Sequence, residues 1–204
     1  MTPGSDAREA TGAPEPAEDD EFDRLRRRVL WAMPTGLFVV GSRAGDRRNL
    51  MTANWVMQVA TTPKLVAVAV ESDSLTRELI DAGGSFSVSL LARSDRGLVR
   101  RFVKPVRDMD VDDTGVATSL QGEAVFEVGN GLPCLSAAVG WLVCSVRSVH
   151  VWDADTAAGA ASHVLVVGEV EDAGESDRLS PASADGATDD AVLSMRDTRM
   201  NYGG

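Results

Sequence analysis

Between Arg48 and Ile80 the chain reads RNLMTANWVMQVATTPKLVAVAVESDSLTRELI, which puts amides, hydroxyls and one indole on a short stretch ahead of an apolar run. Asn49, Thr52 and Asn54 supply donors and acceptors without formal charge, the set that suits the carbonyl and imide edge of a heteroaromatic cofactor. The same side chains also suit a polar edge strand whose hydroxyls meet water. Ser72, Ser74 and Thr76 stand just before or within the opening of a helical stretch. There, unpaired backbone N–H groups and the helix dipole favour an anion such as phosphate. Plain N-capping by Asp73 or Ser74 accounts for these residues without a ligand. Any phosphate at this turn requires the Asp73 carboxylate to point away.

Arg100, Arg101 and Lys104 cluster in LVRRFVKPV near the end of another helical stretch. They offer countercharge to a phosphate, or they face solvent and favour the helix dipole. His150 and His163 are the two histidines. With no carboxylate cluster and no Ser-His-Asp spacing, they give no donor set for zinc or iron and no triad. Cys134 and Cys144 lie in apolar surroundings without metal-ligand spacing and read as buried free thiols. Trp55 is the tryptophan expected near a cofactor or subunit interface, with Trp31, Trp141 and Trp152 as core or interface anchors.

The 204 residues suffice for one domain with a real core, and 44% hydrophobic with 25% charged residues describes an ordinary soluble globular chain. A net charge of -11 argues against nucleic-acid backbones and anionic membrane surfaces. No run of about 18 apolar residues occurs, and the N-terminus has no signal-like apolar region. A cytoplasmic location is the resulting expectation.

Residues 1–20, rich in Pro, Gly, Ala and acid, are expected as a disordered acidic tail, leaving one domain over 21–204. Phe22, Leu25, Val29 and Ala32 recur at helical spacing and predict an amphipathic helix ending before Pro34. Strands are expected at 37–42, 50–60, 64–70, 85–91, 124–128, 137–151 with an internal break, and 163–170, with a last short one at 192–195. Helices are expected at 75–82, ended by Gly83-Gly84, and at 94–103, stopped by Pro105; loops are expected at 107–119 and 171–190. The end, MRDTRMNYGG, is expected to lie on a partner subunit or over the site, or to fray. Many strands joined by hairpin-length connections predict an antiparallel barrel over a βαβ sheet. The lack of G-x-G-x-x-G after a strand removes the usual dinucleotide route.

The runs Asn49-Leu50-Met51-Thr52-Ala53-Asn54-Trp55 and Glu71-Ser72-Asp73-Ser74-Leu75-Thr76 resemble the flavin reductase-like, FMN-binding split-barrel family, with the resemblance extending from Arg24 to the C-terminus. It implies a mainly β, antiparallel split β-barrel with flanking helices, homodimeric, with the cofactor near the subunit interface. The implied activity is that of an NAD(P)H-dependent flavin reductase using FMN, or FAD, and serving a partner monooxygenase. Asn49, Thr52, Ala53, Asn54 and Trp55 would line the isoalloxazine ring, and Ser72, Ser74 and Thr76 would receive the phosphate. Phe102 would touch the flavin, with Arg101 or Lys104 as countercharge. His163, in Ser162-His163-x4-Gly168, would orient nicotinamide. The alternatives are an FMN-binding electron carrier or sensor without nicotinamide activity, and a deazaflavin- or heme-binding relative.

Overall fold

The computed structural model describes residues 18–152, 161–179 and 192–198. The chain divides into two units, residues 1–33 with 202–204 and residues 34–201. In the first, α1 spans Glu18–Ala32. It starts three residues inside the segment expected as a tail, while residues 1–17 lie outside the described residues. Asp23 accepts from Arg26 and pairs with Arg27 at 2.8 Å, and the Arg26 guanidinium lies 5.3 Å from the Phe22 ring centroid. These are the neighbours that three- and four-residue spacing brings together on one helix.

In the second unit, β1 (Phe38–Ala44) and β2 (Arg47–Ala53) form a hairpin in which Phe38 faces Ala53. Gly45 turns it at φ +58°, a conformation open to glycine without steric cost. Next come β3 (Val56–Thr61), β4 (Lys64–Glu71), α2 (Leu75–Gly83) and β5 (Ser85–Leu90). Four short strands follow, β6 (Met109–Val111), β7 (Ala117–Leu120), β8 (Glu123–Val128) and β9 (Leu132–Leu135). The long pair β10 (Gly140–His150) and β11 (His163–Glu175) completes the set.

The large sheet runs β2-β1-β5-β10-β11-β4-β3, and β6-β7-β8-β9 forms a smaller one. The strand expected over 50–60 is therefore two strands. The chain leaves β1 after Ala53, bends at Asn54-Trp55, and pairs β3 with β4 instead. Consecutive strands thus lie at opposite edges of one curled sheet, the geometry of a split barrel. Val66, Val68 and Val70 point into its interior with Val40, Phe86 and Val88. Their alternation with Ala67 and Ala69 is the period-two pattern of a strand with one bulky face. Register shifts at Val143/Cys144 and Val146/Ser148 are the break inside β10.

A second core, including Leu37, Val39, Leu50, Val99, Phe102 and Leu135, lies beside the barrel. Each such Leu, Val or Phe side chain contributes about 1.5–3 kcal/mol on burial. Arg48 contributes differently, through a pair with Glu127 at 2.5 Å and a bond to the Gly115 carbonyl, with its side chain only 2% exposed.

Four other expectations change. The helix at 94–103 is two 3₁₀ turns, Arg93–Asp95 and Leu98–Phe102, because Gly97 and the β-branched Val99 weaken a continuous α-helix. The loop at 107–119 contains β6 and starts β7, strands too short to show periodicity. The strand at 163–170 continues to Glu175, although residues 180–190 of the expected loop lie outside the described residues. At 192–195 there are only isolated bridges, Ala92 to Val192 and Gly36 to Ser194, leading into a 3₁₀ turn at Met195–Asp197. Residues 199–204 of the C-terminal segment are likewise outside the described residues.

Candidate functional site

The bend between β2 and β3 is the centre of the candidate site. Asn54 is 8% exposed, and its carboxamide makes no hydrogen bond among the described residues. The buried side-chain polar atoms without a partner among the described residues are Ser42 Oγ and Ser145 Oγ, so the Asn54 carboxamide still reaches the surface and can bond to a ligand edge in place of water. Trp55 is 41% exposed, and its carbonyl accepts from Ala69 N at 3.0 Å. The Trp55 ring meets His163 edge to face, with centroids 5.0 Å apart and planes at 70°.

His163 opens β11 opposite Glu71, and its Nδ1 lies 2.8 Å from Ser162 Oγ. The turn after β4 is tied to the same segment. Ser72 N donates to Ser162 O at 2.9 Å, and Ser72 Oγ donates to Ala161 O at 2.8 Å. Asn54, Trp55, Ser72 and His163 therefore come from three separate parts of the chain into one region. Ser162 and Ala161 join them through backbone and side-chain bonds that no local motif announces.

The other candidate residues have different placements. Asn49 Nδ2 donates to Thr76 Oγ1 at 2.9 Å, while its Oδ1 accepts from Val106 N at 2.8 Å. That amide braces β2 against α2 and the segment after the 3₁₀ turns. Thr76 is buried, and Thr52 Oγ1 donates to Val99 O at 2.5 Å. Ser74 caps α2 by accepting from Arg77 N at 3.2 Å, and its own hydroxyl donates to Glu71 O at 2.8 Å. This is the N-capping arrangement.

Ala53 lies within the barrel core and Phe102 is 1% exposed in the second core, so Phe102 presents almost no surface to a ligand. Arg101 pairs with Glu123 at 2.5 Å, and Lys104 is exposed. Gly168 serves the barrel interior. A Cβ there would lie 2.6 Å from Phe86 and 2.8 Å from Cys144.

Burial pushes the Cys134 thiol up, and burial with the nearby Glu171 carboxylate pushes Cys144 up to about 12. Both cysteines are free and buried. The remaining arrangement, the Asn54 carboxamide next in sequence to an exposed indole that meets an imidazole, suits holding a flat heteroaromatic group more than activating a nucleophile.

Strand order, the divided β2–β3 edge and this aromatic corner define an antiparallel split barrel of the kind that accommodates a flat cofactor. The sequence model of the flavin reductase like domain matches residues 30–192, and the chain belongs to that family. The NADH-dependent FAD reductase of Streptomyces globisporus is 29% identical over 152 residues, 74% of this chain and 76% of the relative. The solved NADH:FAD oxidoreductase of Streptomyces globisporus C-1027 is 26% identical, with a TM-score of 0.58 over 81% of this chain and 89% of that one. The styrene monooxygenase flavin reductase of Pseudomonas putida S12 is also 26% identical, with a TM-score of 0.56 over 74% and 86% of the two chains. The expected family and the mainly β fold thus hold, and the chain is an oxidoreductase of the flavin reductase type.

Proposed function

We propose that this oxidoreductase holds FMN, or the FMN half of FAD, across the Asn54–Trp55 bend and reduces it with NADH or NADPH. When bound, the flavin supplies the acceptor for a hydride from reduced nicotinamide. Asn54 offers both a donor and an acceptor to the polar edge of the ring, without a formal charge. Trp55 and His163 wall the ring and orient nicotinamide over it, and that orientation is what direct transfer requires. Ser72 and the N-terminus of α2 at Ser74 face the phosphate. Asn49, Thr52 and Thr76 act through the braces they make, and Lys104 supplies long-range countercharge.

The observation that carries this reading is the Trp55–His163 contact next to Asn54, whose carboxamide has no hydrogen-bond partner among the described residues. A homodimer belongs to the same reading. Met57 and Val59 are exposed on the edge strand β3, and Trp55 just before it, so a second copy there would cover apolar side chains and edge backbone alike. The reduced product would serve a partner monooxygenase, a reading supported by the likeness to the styrene monooxygenase flavin reductase of Pseudomonas putida S12. We assign flavin binding to the domain over 21–204 and treat residues 1–20 as dispensable for it. The proposed location is cytoplasmic.

Equilibrium dialysis against FMN and FAD at micromolar concentration tests the binding step. One flavin per subunit is expected. Failure to retain either would overturn the reading.

A further inference from the structure

A recess of about 470 Å³ is lined by Arg96, Gly97, Arg100, Asp197 and Thr198. Both arginines are exposed, and neither guanidinium makes an ion pair or hydrogen bond among the described residues. The local acids are already engaged. Asp197 pairs with Arg93 at 2.8 Å and accepts from Ser194 N and Oγ, and Asp95 pairs with Arg178 at 2.8 Å. Two cations without a side-chain partner among the described residues therefore line one recess in a chain whose net charge is -11. Such a local field concentrates anions at that point.

The chemistry narrows the ligand. A guanidinium presents a planar fork of donors that matches phosphate oxygens, and a pair of them suits two linked phosphates better than one. The recess is also joined to the flavin strand, because Val99, the residue before Arg100, accepts the Thr52 hydroxyl through its carbonyl. Gly97 leaves the floor open. It has φ -67°, and a Cβ there would meet nothing within 4 Å.

We propose that this recess receives the pyrophosphate of an ADP moiety, the group common to FAD and the nicotinamide dinucleotides and absent from FMN. The inference rests on the proposed flavin reading for the choice of ligand, and on the recess itself for the site. Arg96 and Arg100 would then determine how much the protein gains from a dinucleotide over FMN.

The test compares wild type with Arg96→Gln plus Arg100→Gln, and with Gly97→Glu, which keeps both arginines and adds a carboxylate to the recess. Calorimetric titration with ADP, dialysis with FMN and FAD, and the KM for NADH are read on each. Both variants should weaken ADP by about tenfold or more while FMN affinity stays within about twofold, because charge-assisted bonds to the second phosphate are lost. A parallel loss in FAD affinity would name the flavin as the source of the ADP group, and a parallel rise in KM would name the nicotinamide nucleotide.

Absence of ADP binding to wild type, undiminished ADP binding to both variants, or equal weakening of FMN and FAD would overturn the inference. Wild type that binds ADP in this arginine-dependent way but takes no flavin would uphold the recess and overturn the flavin reading alone.

Discussion

Trp55 and His163 meet edge to face with ring centroids 5.0 Å apart, joining the bend that separates β2 from β3 to the first residue of β11. An aromatic contact of this kind contributes about 0.5–1.5 kcal/mol beyond the area it buries. Both residues stand at strand ends, and Trp55 keeps 41% of its surface exposed. The pair thus has surface to offer a ligand while the barrel core is held by others.

Replacing His163 by Ala should slow flavin reduction by NAD(P)H about tenfold or more with little change in FMN affinity, since the lost contact belongs to the hydride-transfer complex. Rapid-mixing rates together with flavin titrations decide it. Rates equal to wild type would remove His163 from catalysis, and loss of FMN without a separate rate effect would move it into the cofactor shell and favour a carrier.

Asn54 and Thr52, two positions apart, should separate binding from stability. Thr52 donates to the Val99 carbonyl, whereas Asn54 has no side-chain partner among the described residues. Asn54→Leu should weaken flavin binding by about 1–3 kcal/mol and leave the unfolding midpoint nearly unchanged. Thr52→Val should lower stability by about 0.5–1.5 kcal/mol, because it removes a buried hydrogen bond to the Val99 carbonyl. Denaturant titrations and flavin titrations on both variants check this, and the reverse assignment of effects would contradict it.

The Arg48–Glu127 pair makes a prediction that does not involve the cofactor. Arg48→Ala leaves the Glu127 carboxylate, 11% exposed, with Ala117 N at 2.8 Å and Arg43 at 3.4 Å as its remaining partners. Breaking one side of a buried pair costs about 3–5 kcal/mol, and the surviving partners place this case near the lower end. Chemical denaturation measures it. A loss below about 1 kcal/mol would show that the carboxylate relaxes to solvent.

The raised thiol pKa values fix a sign. A group held above its ordinary value stays protonated as pH rises through that value, so Cys134 and Cys144 should remain neutral where an ordinary thiol ionises, and their burial shields them already at pH 8. Ellman's reagent should detect no thiol in the native protein at pH 8 and two after denaturation. Rapid native labelling would contradict the burial of these strands.

The barrel was largely legible because its strands alternate. Val66, Val68 and Val70 against Ala67 and Ala69 declare one inward face, and the same period marks Phe86 and Val88 in β5. The bend at Asn54-Trp55 was hidden, because an apolar run reads the same whether it continues along one partner or changes to another. The roles of Asn49 and Phe102 were hidden for a related reason. An amide can bond to a ligand or to Thr76 and Val106, and only tertiary packing decides. Phe102 adjoins cations in sequence, yet it points into the second core. Arg100 stood out in sequence as possible countercharge to a phosphate, but Arg96 carried no signal, and that neither has a side-chain partner among the described residues is visible only in three dimensions.

The central claim is that the Asn54–Trp55–His163 corner brings reduced nicotinamide to a bound flavin. Anaerobic stopped-flow mixing of the flavin-loaded protein with NADH, and separately with NADPH, tests it most directly. The account expects the oxidised flavin absorbance to bleach with at least one of them, at a rate that saturates with nicotinamide concentration. A protein that retains flavin yet shows no bleaching with either would be a carrier or sensor, and the account would be wrong.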